Sequence, residues 1–194
     1  MDIETLCHQV YEDLNGEITA VNQLECSNDL EIEFECDDWC QLNQQRHFKI
    51  HCHQVVESTI APTMCYQIEW SDNSPLLLKH NQPQGHLYYS SKPKDRHQIL
   101  GLLWQAHESV FQGWRPLREH INCYTVDGIV EFANDNYGLL AHGPEPLMKH
   151  YQNILTNKLS TNYVPTNGKM ANYQALIFEH GFVICQSVTV TDLD

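Results

Sequence analysis

The segment "LEIEFEC" at residues 30–36 alternates Leu30, Ile32, Phe34 and Cys36 with Glu31, Glu33 and Glu35. A helix cannot sort these two sets onto separate faces, so the period of two demands a strand with one face buried and the other in water. Residues 46–55, "RHFKIHCHQV", repeat the pattern: Phe48, Ile50 and Cys52 share one face, and His47, Lys49, His51 and His53 the other. The polar connection "DDWCQLNQQ" suits an antiparallel hairpin. Pairing Cys36 with Arg46 sets Glu35 opposite His47, Glu33 opposite Lys49 and Glu31 opposite His51, while Phe34 meets Phe48 and Ile32 meets Ile50. Slipping by one residue would turn every apolar side chain outward, so this register is strongly favoured.

Further strands are expected at "MCYQIEW" (64–70) and "GHLYYS" (85–90), punctuated by Pro62, Pro75, Pro83 and Pro93. Leu6, Val10 and Leu14 lie four apart before Asn15-Gly16, which predicts a short amphipathic helix over 3–14. After Pro93, Asp95 with Gln98 resembles a capping box, and Ile99, Leu102, Leu103, Ala106 and Val110 recur at helical spacing until Gly113. "VDGIVEFAN" (126–134) reads as a short helix, and Pro144 and Pro146 introduce another that runs to Leu159. Residues 162–169 read as a loop, and "YQALIF" and "FVICQSVTV" flank "EHG" as a C-terminal hairpin.

These elements predict an α+β fold, an antiparallel β-sheet with helices packed on one face. The hairpin of 30–53 starts the sheet, the C-terminal hairpin rejoins it, and the helices near 95–112 and 146–159 cover it. No repeat, linker or low-complexity tract marks a boundary, so residues 1–194 are expected to form a single globular domain.

Charge narrows the function classes. The net charge is −14, and residues 1–50 hold 12 acids against Arg46 and Lys49. Phosphate binding needs clustered Lys and Arg, so no nucleic-acid partner is expected. An acidic face would instead suit a basic partner protein. No apolar run approaches the ~20 residues of a spanning helix, and "MDIETLCHQV" lacks the marks of a secretory signal, so no membrane partner is expected and the chain reads as soluble and cytoplasmic. The eight cysteines form no paired C-x-x-C array and are expected to stay thiols in a reducing compartment.

Two clusters carry candidate chemistry. His51 and His53 project from one strand face about 7 Å apart at the backbone, and Glu31 or Asp29 opposite would complete a two-histidine, one-carboxylate site for a divalent metal. Cys52 points the other way and is not a ligand of that set. "HESVF" (107–111) begins like the zinc-peptidase helix motif, but Phe111 stands where the second histidine belongs. Trp104, His107, Phe111 and Trp114 form one stripe of the helix, a candidate wall of a ligand pocket. No nucleophile elbow, phosphate-binding loop or dinucleotide fingerprint occurs. The leading expectation is a cytosolic binding or protein-interaction module, an acidic inhibitor or immunity-like protein without catalysis and without a required cofactor. The alternative is a small-molecule-binding or metal-dependent enzyme built on one of the two clusters.

Overall fold

Strands β2 (Leu30–Asp37) and β3 (Gln45–His53) pair antiparallel in the register that the alternation requires: Glu31 is level with His51, Glu33 with Lys49, Glu35 with His47 and Phe34 with Phe48. Ile32, Phe34, Phe48 and Ile50 are fully buried, whereas their charged neighbours reach solvent. These coordinates are a computed structural model of the chain, which describes all residues except 26, 42–43, 123–129, 133, 167–169 and 194. Cys26, Cys123 and most of the helix expected over 126–134 lie outside the described residues.

The fold is α+β, with three antiparallel sheets among the described residues. The chain is organised as two compact units, Met1–Leu77 with Asn172–Asp194, and Leu78–Ala171.

In the first unit, α1 (Ile3–Gln9) precedes β1 (Glu17–Gln23), and the short strands β4 (Glu57–Ser58), β5 (Thr63–Met64) and β6 (Ile68–Ser71) follow β3. The expected helix over 3–14 stops at Gln9, since Val10 is extended and Glu12–Leu14 form a 3-10 turn. Leu6, Val10 and Leu14 nevertheless all reach the core. The strand expected over 64–70 is divided between β5 and β6.

The C-terminal segment departs further from expectation. Strands β10 (Gln174–Phe178) and β11 (Gly181–Cys185) form the hairpin, but they lie in a second sheet, ordered β4-β11-β10-β6. Only β12 (Ser187–Asp192) joins β3, in a sheet ordered β12-β3-β2-β1-β5. The change of sheet happens at Gln186, whose N–H donates to the His53 carbonyl at 2.9 Å. One core fills the space between the inner faces, formed by Ile32, Phe34, Phe48 and Ile50 with Leu176, Phe178, Val183 and Cys185. Phe182 and Ile184, on the other face of β11, meet Leu76 and Leu77, which explains why the whole of "FVIC" is apolar.

The second unit carries β7 (Gln84–Tyr89) between β8 (Gly138–Pro144) and β9 (Thr161–Pro165). Strand β9 replaces the first part of the loop expected over 162–169, of which residues 167–169 lie outside the described residues. Besides the single turn α2 (Leu78–Asn81), the described helices of this unit include α3 (Arg96–Phe111) and α4 (Glu145–Ile154). Asp95 caps α3 by accepting the Gln98 N–H at 3.0 Å, and the helix ends where Gln112 and Gly113 turn to positive φ, 48° and 87°. Helix α4 packs on β7, β8 and β9, and α3 packs on α4. The two helices thus cover this three-stranded sheet and not the sheet of β2 and β3 as expected. Alternation specifies that a strand has a wet face and a dry one, but not which element supplies the dry side.

Candidate functional site

The outer face of the five-stranded sheet is built in rows. Lys49 reaches Glu31 at 3.0 Å, one step diagonally from its level partner, and His47 lies 3.6 Å from Glu35. Arg46 falls on the inner phase at the end of β3, where it pairs with Asp192 and lies 4.4 Å over the Trp39 ring.

His51 and His53 converge on one carboxylate. Their rings stack at 4.2 Å between centroids, and Oδ2 of Asp29 lies 3.3 Å from His51 Nε2 and 3.5 Å from His53 Nδ1. Of the two carboxylates expected here, Glu31 lies against Lys49, and Asp29 is the one grouped with His51 and His53. Asp29 precedes β2 and is held by its turn, its N–H donating to Ser27 Oγ at 3.2 Å and its carbonyl accepting the Leu24 N–H at 3.1 Å. Its second oxygen, Oδ1, accepts the Gln54 N–H at 2.8 Å, where the chain turns with φ 52° directly after β3. That N–H bond, and after it the two imidazoles, hold the Asp29 carboxyl below the usual aspartate value. His53 has a further partner in Thr189 Oγ1 of β12, 3.2 Å from Nε2. Cys52 points into the core, as the pleat requires, beside Cys185; the Cys185 contact and burial push its thiol far up.

The stripe on α3 is divided. His107 and Phe111 are buried with ring centroids 4.8 Å apart, while Trp104 and Trp114 are exposed at 54% and 37%. Both His107 nitrogens are engaged at 2.7 Å, Nε2 with the Arg115 carbonyl and Nδ1 with the Tyr151 hydroxyl. A carbonyl only accepts, so Nε2 carries the hydrogen and Nδ1 accepts from Tyr151. Burial raises the Tyr151 phenol above its ordinary value, which keeps it a donor.

His120, a residue not singled out in the sequence, completes this cluster. It stacks on Phe111 at 5.6 Å and its Nδ1 lies 3.1 Å from the His142 carbonyl. Its Nε2 is buried without a hydrogen-bond partner among the described residues. Burial lowers its pKa to about 4, opposed by the His142 carbonyl and assisted by His107. No local pattern marks His120, because α3 and β8 bring it into place from distant parts of the chain.

Comparison with known protein families, curated proteins and solved structures finds no match for this chain. Among the described residues, no helix is long and apolar enough to cross a membrane.

Proposed function

We propose that the chain is an acidic binding module whose first unit receives a basic partner protein, as an inhibitor or immunity-like protein does when it covers a cationic surface. The division of charge carries this reading. The unit of Met1–Leu77 and Asn172–Asp194 holds 18 Asp and Glu against Arg46 and Lys49, a net of −16, whereas Leu78–Ala171 has nine bases against seven acids, a net of +2. Both bases of the acidic unit are already engaged by acids, Arg46 by Asp192 and Lys49 by Glu31.

On the outer sheet face, Glu17 of β1 is level with Glu35 of β2, so two like charges stand opposite one another in the ladder. Such a pair opposes folding of the isolated sheet, and a cationic partner relieves it. The same field repels nucleic-acid phosphates. Complementary charge of this kind accelerates encounter and weakens as salt screens it.

The test is capture on the immobilised full chain at low salt, followed by purification of the retained protein and titration at several salt concentrations. A basic protein whose affinity falls about tenfold or more between 50 and 300 mM salt, and falls again with Glu33→Lys or Glu35→Lys, supports the reading. A retained protein indifferent to salt and to both reversals would overturn it, as would the absence of any retained basic protein, which would leave the charge a solvation role only.

A further inference from the structure

We propose that Asp29, His51 and His53 form a zinc-binding site on the outer face of the first sheet, an inference independent of the partner reading above. Ligand atoms around a tetrahedral ion with bonds of about 2.0–2.1 Å are about 3.3–3.4 Å apart. Asp29 Oδ2 already lies 3.3 Å from His51 Nε2 and 3.5 Å from His53 Nδ1. All three ligand atoms fall within 4.8 Å of one another, and rotation of two partly exposed imidazoles closes the remaining edge.

The surroundings of the ligands match this role. Metal-binding histidines give their other ring N–H to an oxygen, which fixes tautomer and orientation. His53 has that oxygen in Thr189 Oγ1, 3.2 Å from Nε2, a hydroxyl able to accept the ring hydrogen when Nδ1, which faces Asp29, binds the ion. The Asp29 carboxylate is anchored in the same way, with Oδ1 on the Gln54 N–H and Oδ2 left facing the rings. An ion pair with only one histidine would need neither the stacking of two rings at 4.2 Å nor the shared oxygen. One shared dication satisfies both nitrogens and the carboxylate together.

The donor set decides the class of ion. Two imidazole nitrogens and one carboxylate oxygen suit zinc and its transition-metal neighbours, whereas magnesium and calcium require oxygen shells. The ligand side chains are 21% to 33% exposed, so a fourth position opens to solvent. Three protein ligands with one open position is the arrangement of zinc that binds water or a further ligand.

The experiment is calorimetric titration of zinc chloride into chelator-treated full chain, with Cys40→Ser in every sample because that exposed thiol is a competing ligand. One zinc per chain is expected, with no response to magnesium. His53→Ala and Asp29→Asn are expected to weaken binding more than about 100-fold, Thr189→Val about tenfold, and Glu31→Gln not at all. Asparagine retains the oxygen that accepts the Gln54 N–H, and circular dichroism checks folding; if Asp29→Asn fails to fold, His53→Ala carries the test alone. No saturable zinc binding up to about 1 mM would overturn the proposal. Equal binding by wild type and His53→Ala would also overturn it, by placing the ion elsewhere.

Discussion

Glu31 is level with His51 in the β2–β3 ladder, yet its carboxylate lies 3.0 Å from Lys49 Nζ, and it is Asp29 that meets His51. A lysine stem is long enough to reach a diagonal neighbour, and by doing so it removes Glu31 from the histidines. Both side chains remain in contact with water, so the pair is screened and contributes little to folding. Glu31→Gln is expected to change the thermal midpoint by less than about 2 °C, measured by calorimetry. A larger fall would mean that the pair organises the whole outer row.

His107 is a structural bridge in this geometry, since both its nitrogens are used and the ring is fully buried. Truncation strands the Tyr151 hydroxyl and the Arg115 carbonyl without water. His107→Ala is therefore expected to destabilise the chain by about 2–4 kcal/mol in urea unfolding. An unchanged midpoint combined with loss of a bound small molecule would instead restore the pocket reading.

His120 makes stability depend on pH. Unfolded, its imidazole takes up a proton below the ordinary value of 6.5; folded, burial holds it off until about 4. Between these values the unfolded chain binds more protons, so the contribution is complete above pH 6.5 and is lost as pH falls toward 4. The loss is on the order of 3 kcal/mol. Urea midpoints recorded from pH 7 to pH 4 should fall more steeply for the wild type than for His120→Gln, and parallel curves would contradict the assignment.

Gly143 has φ 146°, and a Cβ there would stand 2.6 Å from His120 Nδ1. Backbone strain and the clash act together, because the imidazole is held by the His142 carbonyl and by Phe111. Gly143→Ala is expected to cost about 2 kcal/mol or more, read from the denaturation midpoint. A neutral substitution would show that His120 can move aside.

Thiol accessibility separates the cysteines. Cys36, Cys52, Cys65 and Cys185 are buried, and burial lifts the Cys36 thiol to about 11, whereas Cys40 is exposed. Brief alkylation of the native protein followed by peptide mass spectrometry should modify Cys40 well ahead of these four, which become reactive only on unfolding. Early labelling of Cys52 would place it outside the core.

How much was legible follows from the range of each signal. The register of β2 and β3 was readable because residues 30–36 and 47–53 alternate without interruption. Strand β1 was not, since a bulge between Ile18 and Ala20 breaks its period. Strand β8 hid behind Gly138, Gly143 and Pro144, residues that local reading assigns to turns. Within the metal-ligand set, the two histidines were visible as neighbours on one strand face. The choice of Asp29 over Glu31 depended on a turn and on where one lysine side chain reaches.

The sequence by itself determined which faces of its strands are wet, which register joins β2 to β3, and that Cys52 cannot share an ion with its histidine neighbours. Each of these follows from a pleat that repeats every two residues. Only the tertiary structure decided which carboxylate meets His51 and His53, which sheet the helices cover, and how the charge divides between −16 and +2. Those outcomes depend on contacts between residues far apart in the chain, and neither periodicity nor composition carries information at that range.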